Sequence, residues 1–578
     1  MSAIALLALW LRVRGLAFGL PAVYNPDEVA IMSRALAFAT GDLNPHNFLY
    51  PTLYFYALFV WVGLYFVGAW LTGAVPSVAA FQESLFTDPT GIYLAGRALG
   101  VVCGIGAVLV TWRLGTRVAG RGAGLAAAAF LAVAPYAVRD AHYVKHDVPA
   151  TLAVIVATLM IVALWEHPGR RLRPGVSAGA ACGLAASVHY YAVFVGVPLA
   201  LAIWMPGAVR RSVRERLHLT AMAFAAAALA FVAGTPFLLA EPGTAWQDIV
   251  ANRQIVLDRA VDASGALFPS LGTYGRMLLA SAAGWPVAVL AAAGAIVLAR
   301  TDRARLILLV AFPVVFLAFI SHTVPATRYL NPVLPFIAVL AGVTVAAVAG
   351  TLARHRPRAA LPAGVLLAAT AGAPGVRDSV HLGWFFQQTD TRTLAREYIE
   401  RSTPEGATVL LQPYSVPLQR SRASLVEALR HHLGDEAKAS VKFRIQLGLS
   451  PYPRPAYRVL WLGSGGRDVD KLYVEYAALA GESGRDRLNA LGARLVVLKG
   501  AQSLTPEAAG LAALLNRHAR RTAVFSPFRG HAAPHEQPFL HNTDAEITDG
   551  LSRPGPVIEV WQWATSSDAA AGGSTGSQ

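Results

Sequence analysis

Long apolar runs separated by short polar segments dominate the first two thirds of the chain. Twelve of these runs are close to the roughly 20 residues that a helix needs to cross a bilayer. They fall at 3–20, 51–72, 92–113, 122–138, 148–165, 175–188, 190–206, 218–239, 277–299, 306–321, 329–350 and 359–375. The pattern predicts a polytopic α-helical membrane protein.

Arginine sets the expected orientation of these runs. Five short loops hold 16 of the 27 Lys and Arg residues in 1–377, at 113–121, 170–173, 210–216, 300–305 and 354–358. Because cytoplasmic loops are enriched in Lys and Arg, we expect these five loops in the cytoplasm. The intervening loops and the C-terminal segment would then lie outside. Residues 3–20 show no small-residue cleavage site and are interpreted as a first span.

Segment 51–72 does not fit this alternation. The residues before it and the segment 73–91 after it, which has no Lys or Arg, both look external. Its eight aromatic residues suit a helix that lies in the membrane interface. We therefore predict one external region over 21–91 with interfacial helices, and about 11 transmembrane helices. Alternatively, 51–72 crosses the membrane and another short run, such as 175–188, does not.

Polar residues and strand-like runs return after Arg377. Strands are predicted at 408–412, 458–462, 494–498 and 557–563, with helices at 391–401 and 506–520. The domains predicted are a transmembrane domain over 1–377, an extracytoplasmic α/β domain over 378–564 and a disordered tail over 565–578.

Charge and cysteine content narrow the function further. The 578 residues carry a net charge of +15, of which +13 belongs to residues 1–377 and +2 to the remainder. A nucleic-acid-binding protein would want a basic soluble domain, so this class is excluded. The two cysteines, Cys103 and Cys182, lie in apolar runs and give neither a disulfide framework nor metal-ligand spacing. The sequence therefore predicts no particular cofactor, and a divalent metal is left as an open alternative.

The first acidic candidates follow the first span. Asp27 and Glu28 are adjacent and come directly after Pro26, in a sequence typical of a helix start. Ionisable groups at a membrane surface are functional suspects because burying them is costly. The alternative is that both acids only complement the dipole at the helix N-terminus.

A second loop combines an acid with a rare lysine. Lys145, His146 and Asp147 lie between two predicted spans, and Lys145 is the sole one of five lysines before residue 438. In a chain so biased toward Arg, a lone Lys among titratable neighbours points to a specific role. The alternative is an interfacial charge cluster that anchors two span ends.

Further cationic or titratable groups fall in two other loops expected outside. His189 and Tyr190 lie between two short spans, and His322 lies in the same loop as Arg328 and Tyr329. A guanidinium at the mouth of a span can bind a lipid phosphate through two hydrogen bonds. Arg328 could instead extend to the lipid headgroups, and His189 could be an ordinary interfacial histidine.

Acids and cations thus converge on one face of the membrane. Acids can accept a proton from an attacking hydroxyl, and cations can stabilise a departing phosphate. This combination favours group transfer from a lipid phosphate. A transporter usually places its ionisable groups near the middle of the membrane, where this chain has almost none.

The same residues carry a resemblance to a family. The motif Asn25-Pro26-Asp27-Glu28, the run 41–54 and the motif 328–335 resemble the bacterial family 39 glycosyltransferases. These include protein O-mannosyltransferase-like and aminoarabinose-transferase-like enzymes of the C-type glycosyltransferase fold. The resemblance covers most of residues 1–410.

The resemblance implies a sugar donor on a polyprenyl phosphate at the outer face of a bacterial cytoplasmic membrane, and a glycan, lipid or protein acceptor. Asp27 matches the family's proposed catalytic base, and Glu28 and Asp147 match its other acids. Arg328 matches the family's Arg before a late span, whereas His189 stands where many members have Lys. The substrate-binding set expected is His46, Tyr50, Lys145, His146, His189, Tyr190, His322, Arg328 and Tyr329.

Two other classes of function are also compatible with these residues. The chain could be a non-catalytic lipid-handling or transport protein of the envelope, which would need the phosphate-binding cations but no base. It could also be a scaffold for glycan assembly that acts through residues 378–578.

Overall fold

The computed structural model describes the chain over residues 1–166, 172–205, 212–258, 267–466, 468–500, 508–530, 536–542 and 546–563. The chain divides into two compact units. The first consists of Met1–Leu16, Asp27–Val67 and Ile92–Trp384, and the second of Ala17–Pro26, Gly68–Gly91 and Phe385–Gln578. The boundaries predicted at residues 377 and 564 stay a prediction.

Helices account for nearly all regular structure before residue 387. They are α1 (Ser2–Val13), α2 (Pro26–Ala37), α3 (Leu53–Leu71), α4 (Val78–Thr87), α5 (Thr90–Ala132), α6 (Pro135–Asp140), α7 (Asp147–Glu166), α8 (Leu172–Val188), α9 (Gly196–Trp204), α10 (Val213–Gly234), α11 (Pro242–Asp258), α12 (Leu271–Met277), α13 (Trp285–Thr301), α14 (Arg303–Ile320), α15 (Leu334–His355) and α16 (Pro357–Phe386). Each of the twelve apolar runs overlaps one of these helices.

Seven helices of the described ranges are long and apolar enough to cross a membrane, or eight if the bent pair Leu271–Ala282 and Trp285–Thr301 forms one span. The predicted class, a polytopic helical membrane protein, is confirmed. The prediction of about 11 spans exceeds this count because some of the predicted spans are too short to be counted. Helices α1 and α8 have only 12 and 17 residues, and the stretch Tyr190–Trp204 is also short. The predicted spans 92–113 and 122–138 lie within the single helix α5, which is kinked at Ala119 and Gly120.

Helix α3 covers the segment expected to lie in the interface. With 19 residues, it is among the seven helices that could cross a membrane by length and composition. Residues 51–72 are therefore helical as expected, and their placement in the interface stays a prediction.

Glycine allows two helices of the first unit to pack at short range. Gly175, Gly179 and Gly183 are spaced by four residues, which places them on one face of α8. A Cβ at Gly179 or Gly183 would collide with the backbone of Ala223 or Ala227 in α10, respectively. Small residues at this spacing let membrane helices approach closely, where van der Waals packing drives association.

The second unit contains a six-stranded sheet. Its strands are β1 (Thr408–Leu411), β2 (Arg458–Leu462), β3 (Tyr473–Val474), β4 (Ala493–Lys499), β5 (Ala519–Phe525) and β6 (Ile558–Trp563). Their order is β3-β2-β1-β4-β6-β5. The first four strands in this order are parallel to one another, and β6 is antiparallel to both of its neighbours, β4 and β5. All four predicted strands are present, which confirms the predicted C-terminal α/β fold.

Both faces of this sheet are covered. The helices of this part are α17 (Thr391–Ser402), α18 (Arg422–Leu433), α19 (Val441–Gly448), α20 (Gly481–Ala490) and α21 (Ala509–His518). Leu410 and Val496 pack in a core with α20 and α21, while Val409 and Val497 pack on the opposite face with α17. The alternation follows from the two-residue period of a strand.

Some predicted features lie outside the described residues. These are parts of the basic loops at 170–173 and 210–216, the start of the helix expected over 506–520, and the tail expected over 565–578. The basic loop expected at 113–121 is part of α5, whose non-helical residues Ala119 and Gly120 make the kink. Gly120 has a φ of 85°, a value that glycine adopts without steric cost.

Candidate active site

The start of α2 presents its two acids in different directions. Pro26 opens the helix, and Asp27 and Glu28 occupy its first turn. Successive residues of an α-helix are separated by about 100° around its axis. The Asp27 side chain is 53% exposed, whereas the Glu28 side chain is fully buried.

Glu28 is held in a buried ion pair with Arg97 of α5. The Nε and Nη2 atoms of Arg97 each lie 2.9 Å from a different oxygen of the Glu28 carboxylate. The backbone N–H of Val144 also donates to Glu28, at 3.0 Å, and Arg97 donates to the carbonyl of Leu16 at 2.7 Å. Glu28 thus fastens α2 to α5 and to the loop before α7, which is the work of a positioning residue.

Asp27 is paired with the lone lysine of the membrane half. The Nζ atom of Lys145 lies 2.9 Å from Oδ2 of Asp27, and the lysine side chain is only 12% exposed. Burial raises the pKa of Asp27, but the charge and hydrogen bond of Lys145 and the charge of Arg328 outweigh it. The net pKa of Asp27 lies below its usual value, so this carboxylate is ionised at neutral pH.

Arg328 extends the positive charge of the same region. It lies in a 3-10 turn at Thr327–Leu330, and its guanidinium is 5.1 Å from the ring centroid of Tyr329. Its charge acts on Asp27 and Asp147. Two acids and two cations from three separate loops are therefore brought together.

The turn that carries Arg328 is fixed by a buried polar network. Arg139 donates to Asp140 Oδ1 at 2.8 Å and to Thr327 Oγ1 at 2.6 Å. The amide of Asn331 donates to the other oxygen of Asp140. The network ties both ends of the turn to α6, so the position of Arg328 does not depend on its own contacts alone.

Asp147 is the first residue of α7 and is buried. The charges of Arg328 and Lys145 act on it. A carboxylate at this position also complements the helix dipole. Its placement fits the match to a family acid that the resemblance implies, and it equally fits the alternative of an interfacial charge that anchors the ends of two spans.

An aromatic cluster with two histidines lies beside these charges. The ring of His146 stacks on Tyr50 at 4.4 Å between centroids, and His189 meets the edge of Tyr50 at 5.5 Å. Burial and then the charge of Arg328 lower the pKa of His189 to about 3. Burial also lowers the pKa of His146, with a smaller effect from His189 and Arg34. Both imidazoles are therefore neutral at physiological pH.

Each of these imidazoles has one buried ring nitrogen that makes no hydrogen bond to the described residues. Within the described part of the chain, Nε2 of His146 and Nδ1 of His189 are buried without a hydrogen-bond partner. Buried polar atoms in native proteins nearly always have partners. Two unsatisfied nitrogens beside an arginine therefore mark a place where a polar ligand group or water would be stabilised.

The other predicted binding residues have contacts elsewhere. His46 lies between Asp42 and Glu241, with its ring nitrogens 2.9 Å and 2.7 Å from their carboxylates. Tyr190 donates to the carbonyl of Phe48 at 2.9 Å. His322 is exposed, with its ring 6.0 Å from that of Phe268. None of these contacts involves the acids and cations described above, so these three residues are not part of the proposed site.

Arg34 is a functional candidate that the sequence reasoning missed. It follows Asp27 by seven residues, or two helical turns, so both lie on one face of α2. Its interactions reach Tyr50 and Asp248, and its charge also acts on His146. The seven-residue spacing was a readable signal, but only the fold shows which loops that helix face meets.

No group of three or more His, Cys, Asp or Glu residues within the described ranges is arranged to hold a metal ion. The positive charge that the described site offers to an anion comes from Arg328, Lys145 and Arg34. These three residues can bind and neutralise a phosphate group.

Comparison with known proteins supports the resemblance. A family model described as dolichyl-phosphate-mannose-protein mannosyltransferase matches residues 67–235. No curated protein matches the chain. The structure of ArnT from Cupriavidus metallidurans bound to undecaprenyl phosphate matches with a TM-score of 0.52 and 14% identity, over 87% of this chain and 94% of that one.

Two other solved structures are similar at a lower level. The oligosaccharyltransferase of Archaeoglobus fulgidus in its apo form matches with a TM-score of 0.48 and 11% identity, over 86% of this chain and 69% of that one. The mycobacterial arabinofuranosyltransferase AftD matches with a TM-score of 0.40 and 16% identity, over 98% and 40%. These two scores are too low to establish a common fold. The ArnT match confirms the predicted fold, and the family model confirms the predicted resemblance and enzyme class.

Proposed function

We propose that this chain, a multi-pass membrane glycosyltransferase, moves a sugar from a polyprenyl-phosphate donor to an acceptor hydroxyl by an inverting displacement in which Asp27 is the base. The bound undecaprenyl phosphate named for ArnT supports the class of donor. The observation that carries the proposal is the pairing of the exposed Asp27 carboxylate with Lys145, within the electrostatic reach of Arg328.

The acceptor step needs a base that faces the substrate. Asp27 is the half-exposed acid of α2, and its lowered pKa keeps it ionised and ready to accept a proton. The acceptor oxygen attacks the anomeric carbon of the donor while its proton passes to Asp27. General-base catalysis of this kind contributes about 10²–10⁴-fold to a rate.

The donor step needs positive charge at the leaving group. As the new C–O bond forms, the bond from the anomeric carbon to the phosphate oxygen breaks, and the bonding electrons stay on the polyprenyl phosphate. Arg328 and Lys145 stabilise the added negative charge. Direct displacement on the face opposite the leaving group inverts the anomeric centre.

The neighbouring residues position these groups. Glu28 and Arg97 fix the start of α2, and Asp140 with Arg139 fixes the turn of Arg328. The neutral His146 and His189 can donate or accept hydrogen bonds to the sugar or phosphate but add no charge. Arg34 adds a third cation on the face of α2 that carries Asp27.

The location is part of the same proposal. The Arg-rich loops favour a bacterial cytoplasmic membrane with the active site and the C-terminal α/β part on the outer side. The acceptor would be a glycan, lipid or protein hydroxyl available there.

The proposal is tested with the full chain in nanodiscs. A panel of radiolabelled polyprenyl-phosphate sugars is offered, and release of sugar to acceptor or water is measured for the wild type, Asp27→Asn and Asp42→Asn. Asp42 is a matched control because its exposed carboxylate pairs with His46. We expect one donor to be used, with a loss of at least 100-fold in Asp27→Asn alone.

Two outcomes would contradict the proposal. Full activity in Asp27→Asn would remove the base from the mechanism. Measurable lipid binding without sugar release from any donor would favour the lipid-handling alternative.

A further inference from the structure

The parallel part of the sheet contains a point where the strand order reverses. From β1 the chain continues to β2 on one side, and from β3 it returns to β4 on the other side. The carboxyl ends of β1 and β4 therefore lie side by side at the point of reversal. Open α/β sheets bind ligands at this kind of position.

The loop after β1 holds a tyrosine in an unusual state. Tyr414 has a φ of 61°, and its side chain is 64% exposed. A bulky residue in the left-handed region is uncommon and costs free energy. Because the ring is mostly exposed to solvent, it buries little apolar surface that could offset the free-energy cost of this backbone conformation. The stability of the fold alone therefore does not explain why a tyrosine stands here.

The loop is nevertheless firmly built. Gln412 accepts a hydrogen bond from the backbone N–H of Lys499 at 2.7 Å, which ties the ends of β1 and β4 together. Tyr476, which follows β3, bonds to the Gln412 side chain. Ser415 is buried, and its hydroxyl lacks a hydrogen-bond partner among the described residues. A defined loop that retains both strain and an unsatisfied group is typical of functional sites.

Lys499, the last residue of β4, lies beside the Tyr414 ring. Its Nζ atom lies 5.8 Å from the centroid of the Tyr414 ring, within the range of a cation–π interaction. Burial, and then the charge of Arg392, lower the pKa of Lys499. Arg392 itself is neutralised by Asp390, which it contacts through two nitrogens at 2.8 Å and 2.7 Å.

The chemistry of this edge disfavours a nucleotide. A dinucleotide-binding turn after the first strand needs glycines so that the backbone can approach the pyrophosphate. Here the turn reads Gln412-Pro413-Tyr414-Ser415 and contains no glycine. An exposed aromatic face beside an amide and an ammonium instead suits a hydroxylated saccharide ring, because the electron-rich aromatic face attracts the C–H groups on one face of the sugar.

We propose that the surface formed by Gln412, Tyr414 and Lys499 binds a saccharide ring of the acceptor. The C–H face of the ring stacks on Tyr414, and Lys499 bonds to a hydroxyl or an acidic substituent of the ring. This inference rests on the proposed function only where it identifies the bound saccharide as the acceptor. Binding of a glycan is measurable without transfer.

The test uses the full chain in nanodiscs and four fluorescent tetrasaccharides: an α-mannan, an arabinan, a galactan and a glucuronic-acid-containing glycan. Binding is measured for the wild type, Tyr414→Asn and Val524→Ala. Asn tolerates the left-handed conformation, so Tyr414→Asn removes the ring without adding strain. Val524 is a half-exposed residue of β5 and serves as the control.

We expect saturable binding of at least one probe by the wild type and by Val524→Ala. In Tyr414→Asn the affinity should fall at least tenfold, while the melting temperature stays equal or rises. A purely structural tyrosine would lower the melting temperature instead. Unchanged affinity in Tyr414→Asn, or no saturable binding of any probe by the wild type, would overturn the proposal.

The same preparation separates this inference from the proposed function. Asp27→Asn should lose transfer and keep the glycan affinity. Tyr414-dependent binding in a chain without transferase activity would overturn only the proposed function. Transfer that depends on Asp27, together with unchanged glycan affinity in Tyr414→Asn, would overturn only the glycan site.

Discussion

The ammonium of Lys145 lies 2.9 Å from the Asp27 carboxylate, and the two side chains differ sharply in exposure. Lys145 is 12% exposed and Asp27 is 53% exposed. A mostly buried cation thus holds an acid that faces out of the protein. The arrangement orients one carboxylate oxygen and leaves the acid open to a substrate.

Lys145→Met should therefore reduce transfer by both of its proposed roles. The base loses its fixed orientation and the leaving phosphate loses a cation, so we expect kcat to fall by about 10²–10³-fold. The acid limb of the pH–rate profile should move to higher pH, because the charge that lowers the pKa of Asp27 is gone. Steady-state rates from pH 4 to 8 measure both effects.

Lys471→Met is the control for this variant. Lys471 also pairs with an aspartate, Asp468, at 2.6 Å, but it belongs to the other compact unit. Its rate and profile should match the wild type. An unshifted acid limb in Lys145→Met would contradict the assignment of Asp27 as the base.

Glu28→Ala should destabilise the first unit rather than only slow the reaction. The change leaves the fully buried guanidinium of Arg97 without its counter-charge, and breaking a buried pair from one side costs about 3–5 kcal/mol. Melting in detergent, followed by intrinsic fluorescence, measures the loss. The exposed pair of Glu482 and Arg485 supplies the control, since Glu482→Ala should leave the melting temperature unchanged. An equally small effect of Glu28→Ala would show that the pair is dispensable.

Stability should decrease as the pH falls below about 6.5, the usual pKa of histidine. Burial lowers the pKa of His142 to about 4, and burial with the charge of Arg328 lowers that of His189 to about 3. Between these values and 6.5 the unfolded chain binds more protons than the folded chain, so acid favours unfolding. Each such histidine adds a slope of about 1.4 kcal/mol per pH unit.

Melting temperatures between pH 7.5 and 5.5 check this slope. His189→Gln should reduce it, and His322→Gln, which changes an exposed histidine, should leave it as in the wild type. An identical slope in all three proteins would mean that His189 is charged in the folded state. Transfer itself should show no histidine limb over this range.

Gly179→Leu should prevent α8 and α10 from packing. A side chain at this position meets the backbone of Ala223, and overpacking a tight contact costs about 1–3 kcal/mol or more. Gly350 in α15 has open space around it, so Gly350→Leu is a matched control. Size-exclusion chromatography after extraction should give a monodisperse peak for the control and aggregation for Gly179→Leu. Equal profiles would show that the short approach is not required.

Much of the fold could be predicted because it depends on local patterns. Apolar runs located the membrane helices, and short strand-like runs located β1, β2, β4 and β6. The length of each helix was less predictable: α1 ends at Val13 although the apolar run continues to residue 20. Hydropathy reports burial in lipid, and it does not report where the backbone stops being helical.

The candidate site was predictable only in part. The rarity of Lys145 and the position of Asp27 at a helix start were visible in the sequence, and the fold pairs them. His46 and Glu28 looked equally suitable, yet one pairs with Asp42 and Glu241 and the other with Arg97. Such pairings depend on which distant loops meet, and that information is absent from local spacing.

The pair of Glu28 and Arg97 also constrains how the protein can be made. The ribosome produces Glu28 well before Arg97, and the backbone N–H of Val144 that completes the contact follows later still. Until α5 is in place, the carboxylate must stay hydrated or protonated, because an unpaired charge cannot be buried at low cost. The first helices therefore cannot pack in their final positions until later helices have been synthesised. A nascent chain truncated before residue 97 should remain loosely held and open to proteases at the start of α2.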